Sequence, residues 1–150
     1  MKNDKFFNVR VYAFIMNSYE ELLIAEEFHY DTFMRKLPGG GLQFGEGIYD
    51  ALIREIKEEL NQEVESATHF HTTDFFVQSK FNESHQVIGV YYIVQLKNDI
   101  SHLYRKADRV VDKNGEEEFK WVKIETLDPN NFTFPVDQKA VSVFLSLFDN

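Results

Sequence analysis

The 150-residue chain is 43% hydrophobic and 27% charged, ordinary globular usage that argues against disorder, and its length fits a single domain over 1–150. It has no cysteine, which excludes disulfides, thiolate nucleophiles and cysteine-ligated zinc. A formal net charge of −9 argues against a surface that coats a nucleic acid polymer or an anionic membrane, yet a bound divalent cation could still bring a small anion to it.

In chain order, residues 6–16 are dominated by β-branched and aromatic side chains and read as a strand. Asn17 and Ser18 make a turn, and residues 21–28 read as the hairpin partner. Pro38 and Gly39–Gly41 read as a strong break. From 48 to 60 the apolar period becomes helical, and Asn61 follows where a left-handed residue is expected. Residues 64–81 are β-rich, and 83–85 turn into a strand over 86–96. A polar, unpatterned loop is expected over 97–113 and a short strand over 118–124 around Trp121. A turn at 128–131 precedes a last helix opened by Pro135, with Val136, Ala140, Val143, Phe144 and Leu147 at helical spacing. The order predicts an α/β (α+β) fold, a mixed sheet flanked by helices. The longest apolar runs, such as 11–16 and 89–94, fall far short of the roughly 20 residues of a spanning helix. Asp4 also interrupts any secretory leader, so a soluble, cytoplasmic protein is expected.

The chemistry concentrates between residues 39 and 62, GGGLQFGEGIYDALIREIKEELNQ. At about 100° per residue, Glu55, Glu58 and Glu59 share an arc of roughly 100° on the helix. It borders the apolar stripe of Leu52, Ile53, Ile56 and Leu60. Three like charges at i, i+3 and i+4 repel, and Lys57 points away, so the set needs a compensating cation. Carboxylate oxygens suit Mg²⁺, Mn²⁺ or Ca²⁺. The glycines ahead of the helix allow a ligand to approach the main chain closely. His69 and His71 lie two apart on a strand and would share a face, but no third soft ligand accompanies them.

This segment resembles the Nudix box of MutT-like hydrolases: Gly, five residues, Glu, seven residues, then Arg-Glu-aliphatic-x-Glu-Glu-x-Gly-aliphatic. Gly40, Glu46, Arg54, Glu55, Ile56, Glu58 and Glu59 stand in register. Asn61 replaces the last glycine and Gln62 the final aliphatic residue. The resemblance implies a Nudix-like α/β/α sandwich that cleaves a pyrophosphate bond in a nucleoside diphosphate linked to another moiety, of the nucleoside triphosphate, ADP-ribose or nucleotide sugar type, with Mg²⁺ or Mn²⁺. It makes Glu55, Glu58 and Glu59 catalytic and metal-binding, adds a backbone carbonyl near Gly40 to the metal shell, and gives Glu46 and Arg54 a supporting salt bridge.

The same resemblance suggests a further acid from the loop before the last strand, with Glu117 and Glu118 preferred over Glu116. Arg10 and Lys36 are candidate substrate contacts. Phe6, Phe7, Phe75, Phe76 and Tyr91 could stack on a base, although core packing is the plainer expectation for each. The other partners expected are none or a second copy in a homodimer. A catalytically silent nucleotide-sensing module is the alternative reading; such relatives usually have eroded carboxylates, and here the set is complete.

Overall fold

A computed structural model describes residues 4–105 and 116–149. Strand β1 (Phe6–Ile15) organises it. Val11, Ala13 and Ile15 face one way and Tyr12 and Phe14 the other, and all five are buried. A strand covered on both faces must be apolar throughout, which is why 11–15 carries no alternation. The first set packs against helix α1 (Ile48–Leu60) through Leu52, Ile56 and Leu60. The second packs against helix α2 (Pro135–Ser146) through Ala140, Val141 and Phe144. Here the aromatic-rich composition is spent: the Phe14 ring centroid lies 4.5 Å from Phe144 and 4.9 Å from Phe70, and Tyr12 stacks on Tyr91 at 5.3 Å. Each such side chain contributes about 1.5–3 kcal/mol by leaving water.

The remaining strands are β2 (Glu21–His29), β3 (Thr32–Lys36), β4 (Gly39–Gly41), β5 (Val64–Thr72), β6 (His85–Leu96) and β7 (Glu118–Lys123). One sheet runs β4-β1-β6-β5, with β1 parallel to β6 and the outer pairs antiparallel. The other runs β3-β2-β7 and is antiparallel throughout. The first sheet is therefore mixed and flanked by helices, as expected.

Several details differ from the sequence expectation. β1 and β2 do not form a hairpin; apart from a bridge at Met16 and Leu22 they belong to different sheets. Two buried faces on β1 demand partners that one hairpin cannot supply. The glycines expected to break the chain form β4 instead, paired with Arg10, Val11 and Tyr12. β3 went unforeseen because its turn, Tyr30 (φ 49°) and Asp31 (φ 63°), contains no glycine and places a tyrosine in left-handed backbone. β5 ends at Thr72, and residues 73–84 lead irregularly to β6. A register shift between His69 and His71 breaks their common face, and His69 Nε2 hydrogen-bonds Thr72 Oγ1 instead. The loop expected over 97–113 is seen as short turns up to Arg105; its remainder lies outside the described residues. No described helix is long and apolar enough to cross a membrane.

At the start of β2, Arg105 donates to both Glu21 oxygens, at 2.7 and 3.0 Å. These bonds, helped by Asn17, hold the nearly buried Glu21 carboxyl down at about 2 against the cost of its burial. A lowered folded pKa gives stability that is present above the ordinary value near 4.5 and is lost as pH falls through 2. Glu21→Gln should therefore be less stable at pH 7 and show a flatter acid limb from pH 4.5 to 2 in thermal melts. Parallel acid limbs in the two proteins would exclude this ion pair as the source.

Candidate active site

α1 begins at Gly47, whose N–H donates to Asp50 Oδ2 at 3.3 Å, and ends at Asn61 in left-handed backbone (φ 55°, ψ 41°). Asparagine thus serves as the helix terminator in the usual place of glycine. The helix buries Ala51, Leu52, Ile56 and Leu60, while Ile53, expected in the stripe, is only half-buried. The three glutamates border this stripe unequally. Glu55 and Glu59 are half-buried, whereas the Glu58 side chain is 54% exposed.

Arg54 ties loop to helix. Its Nε and Nη2 meet the two Glu46 oxygens at 3.0 and 2.6 Å, and Nη2 also donates to the Gly41 carbonyl at 3.0 Å. Gln43 N–H donates to Glu46 Oε1. Nη1 reaches Glu55 at 2.8 Å and Glu58 at 3.1 Å, so one guanidinium neutralises part of the crowded charge. The Glu46 bonds, with those to Glu55 and Glu58, hold the Arg54 pKa above its ordinary value.

Glu59 faces a different set of partners. It accepts from Gly39 N–H at 2.9 Å and meets Glu117, which arrives just ahead of β7. Burial pushes the Glu59 carboxyl up to about 9, and the Glu117 charge and hydrogen bond push the same way. Lys36, at the end of β3, lies 2.6 Å from Glu27 and 3.3 Å from Glu117. Glu118 opens β7 opposite Glu26, and Glu116 is exposed. The helix acids therefore divide, Glu55 and Glu58 toward Arg54 and Glu59 toward Glu117. Among the described residues no three acid or histidine side chains converge closely enough to hold an ion as they stand.

The chemistry still fits a hard divalent cation. The candidate donors are carboxylate oxygens, and the Glu59–Glu117 pair concentrates negative charge that only a proton or cation relieves. The glycine strand leaves the room: a Cβ on Gly40 would fall 2.5 Å from the Glu55 carboxyl carbon.

Beside the carboxylates opens a cavity of about 580 Å³. It is lined by Arg10 and Tyr12 from β1, Lys36 from β3, residues 77–81, and Phe134 at the start of α2. Arg10 Nε donates to the Tyr12 hydroxyl at 2.6 Å, and the charges of both Asp137 and Glu55 act on this guanidinium. Behind the Tyr12 ring, Tyr91 donates to the fully buried Asp137 at 2.6 Å. Burial pushes Asp137 up to about 6, and its second oxygen has no hydrogen-bond partner among the described residues.

Arg10 and Lys36, the candidate substrate contacts, both line the cavity, whereas the four phenylalanines do not. Phe6, Phe7, Phe75 and Phe76 are exposed, and Tyr91 is buried behind the lining. Residues 77–81 and Asp137 were missed. An aspartate in the first turn of an otherwise apolar helix face was the available signal for Asp137; the loop had none, because its place depends on the path of the β5–β6 connection.

The NUDIX domain family model matches residues 6–142. No curated protein sequence matches the chain. Among solved structures, a MutT from work on Aliivibrio salmonicida and Vibrio cholerae is 23% identical, with a TM-score of 0.65, covering 95% of this chain and 99% of its own. A NUDIX hydrolase from Nitrosomonas europaea is 20% identical, with a TM-score of 0.69 and coverage of 93% and 88%. The E. coli ORF135 protein is 18% identical, with a TM-score of 0.65 and coverage of 98% and 94%. At these identities the structures speak for the fold, and the family model for kinship. Since it spans both sheets, the glycine strand and the carboxylate helix, the chain belongs to the NUDIX domain family and is a Nudix-type pyrophosphohydrolase.

Proposed function

We propose that the chain, as one domain over 1–150, hydrolyses a pyrophosphate bond in a nucleoside diphosphate linked to another moiety, with Mg²⁺ or Mn²⁺ as cofactor. The observation that carries this reading is the seating of two helix carboxylates on the glycine strand, Glu59 on Gly39 N–H and Glu55 against Gly40. Glu55, Glu58 and Glu59, with the Gly40 carbonyl, would hold the metal. Bound there, a divalent ion supplies charge neutralisation for the diphosphate and acidifies an attacking water. The protein's own groups supply the rest. One of the three helix glutamates accepts the proton of the attacking water at a carboxylate oxygen, and Glu117, which meets Glu59, brings a further acid beside them. Arg10, between Glu55 and the cavity, orients the diphosphate, and the cavity holds the nucleoside end away from water.

The test is a screen of nucleoside triphosphates, nucleotide sugars, ADP-ribose and dinucleoside polyphosphates with Mg²⁺ or Mn²⁺, reading the phosphate products. Cleavage of at least one class, abolished by a chelator and restored by added metal, is the expected result. Cleavage that survives chelation would overturn the metal assignment, and tight binding without cleavage throughout would favour the silent sensing module.

A further inference from the structure

We propose that Lys36 is a positioning residue: it holds the Glu117 carboxylate against Glu59, so that an acid from the second sheet joins the helix set. The inference rests on the pyrophosphohydrolase reading and assigns a part of the same site. Lys36 ends β3 immediately before the glycine strand, and its side chain is only 13% exposed. Its ammonium has two carboxylate neighbours, Glu27 at 2.6 Å and Glu117 at 3.3 Å. Glu27 sits within β2 and gives the lysine a fixed anchor. Glu117 lies one residue ahead of β7, where no strand ladder fixes it, so its side chain takes its position from what it touches.

On the far side Glu117 meets Glu59, itself tied to Gly39 N–H. The contacts form one chain, Glu27–Lys36–Glu117–Glu59–Gly39, which crosses from one sheet to the other beneath the site. Two ionised carboxylates repel in a partly desolvated place, and either a proton between them or a nearby cation relieves that repulsion. A cation behind one of them lowers that repulsion and leaves the opposite side of the pair open.

The same geometry argues against a phosphate contact. An ammonium flanked by two carboxylates is already neutralised and offers a diphosphate little net attraction. The sequence suggested Lys36 as a substrate contact because it precedes the glycines; the ion pairs assign it instead to the carboxylate behind them.

The experiment compares Lys36→Met, Lys36→Arg, Glu117→Gln and the Lys36→Met/Glu117→Gln double variant. Each is assayed for turnover of the substrate found in the screen, for direct Mn²⁺ binding without substrate, and for thermal stability. Losing a residue that orients a ligand typically costs 10–100-fold in metal affinity or activity. Lys36→Met should accordingly lose about 10–100-fold in kcat with KM within about threefold, and should bind Mn²⁺ about tenfold more weakly. Lys36→Arg should recover most of both losses, and the double variant should be no worse than Glu117→Gln alone. A rise in KM with kcat preserved would overturn the proposal in favour of a phosphate contact, and additive losses in the double variant would also overturn it. Should Lys36→Met fail to fold, Lys36→Arg and Glu117→Gln decide: Mn²⁺ affinity unchanged by Glu117→Gln would overturn it. If no compound is cleaved by the unaltered protein, the functional reading fails, while the Mn²⁺ titrations still judge Lys36.

Discussion

Glutamine at position 59 is expected to slow hydrolysis by about 10²–10⁴-fold, the range associated with a positioned acid or base, while making the metal-free protein more stable at pH 8. The two effects have opposite signs because the same burial causes both. In the folded chain the Glu59 carboxyl is pushed up to about 9, first by desolvation and then by Glu117. A carboxyl raised above its unfolded value near 4.5 removes stability progressively as pH rises from 4.5 through 9. The amide of Glu59→Gln carries no charge, keeps an oxygen for Gly39 N–H and gains N–H groups for Glu117, so that loss disappears. Melting curves with chelator at pH 5 and pH 8, beside initial rates with Mg²⁺, measure both effects. Glu58→Gln provides the contrast: its side chain is more than half exposed and rests on Arg54, so its stability should barely change while its rate falls. Full turnover retained in both variants would refute the assigned roles.

The second large effect separates two adjacent glycines. Gly39 has φ 147°, and a Cβ there would fall 2.1 Å from the Val11 carbonyl oxygen. Nothing flexible can yield, since β4 lies against β1 through backbone hydrogen bonds. Gly39→Ala should cost more than about 3 kcal/mol, combining backbone strain with overpacking, and lower the yield of folded protein. At Gly40 a Cβ would meet the Glu55 carboxylate, the far end of a flexible side chain. Gly40→Ala should therefore fold, with a cost below about 1.5 kcal/mol. It should lose Mn²⁺ affinity and activity because Glu55 is pushed off the strand. Denaturant unfolding and Mn²⁺ titration distinguish the outcomes. Equal stability of the two variants would show that the β1–β4 contact is looser than described.

The carboxylate helix and its asparagine terminator were legible because local spacing alone sets them, and the Glu46–Arg54 tie was legible through the resemblance to the Nudix box. Also legible were the long strands β1 and β6 and the proline that opens α2. What escaped depends on distant parts of the chain. Glycines at 39–41 look like a break until β1 is placed beside them. Residues 77–81 line the cavity only because the path from β5 to β6 passes its mouth. Lys36 reads as a substrate contact until Glu27 and Glu117 are brought to either side of it. The division of the helix acids was equally invisible, since periodicity aligns Glu55, Glu58 and Glu59 without saying that Arg54 takes two and Glu117 the third.

The parallel pairing of β1 with β6 has a cost in time. It joins Phe6 to His85 and Ile15 to Val94, partners 79 residues apart, whereas β2 and β3 meet across a two-residue turn. Closing so long a segment is entropically slow, and the reward arrives only once both strands are present. On the ribosome, the apolar run 11–15 meets β4 and α1 first, but its edge toward β6 stays unpaired until residue 94 emerges. That open strand edge persists while those 79 residues are made, and this is the interval in which a chaperone would matter to the chain most.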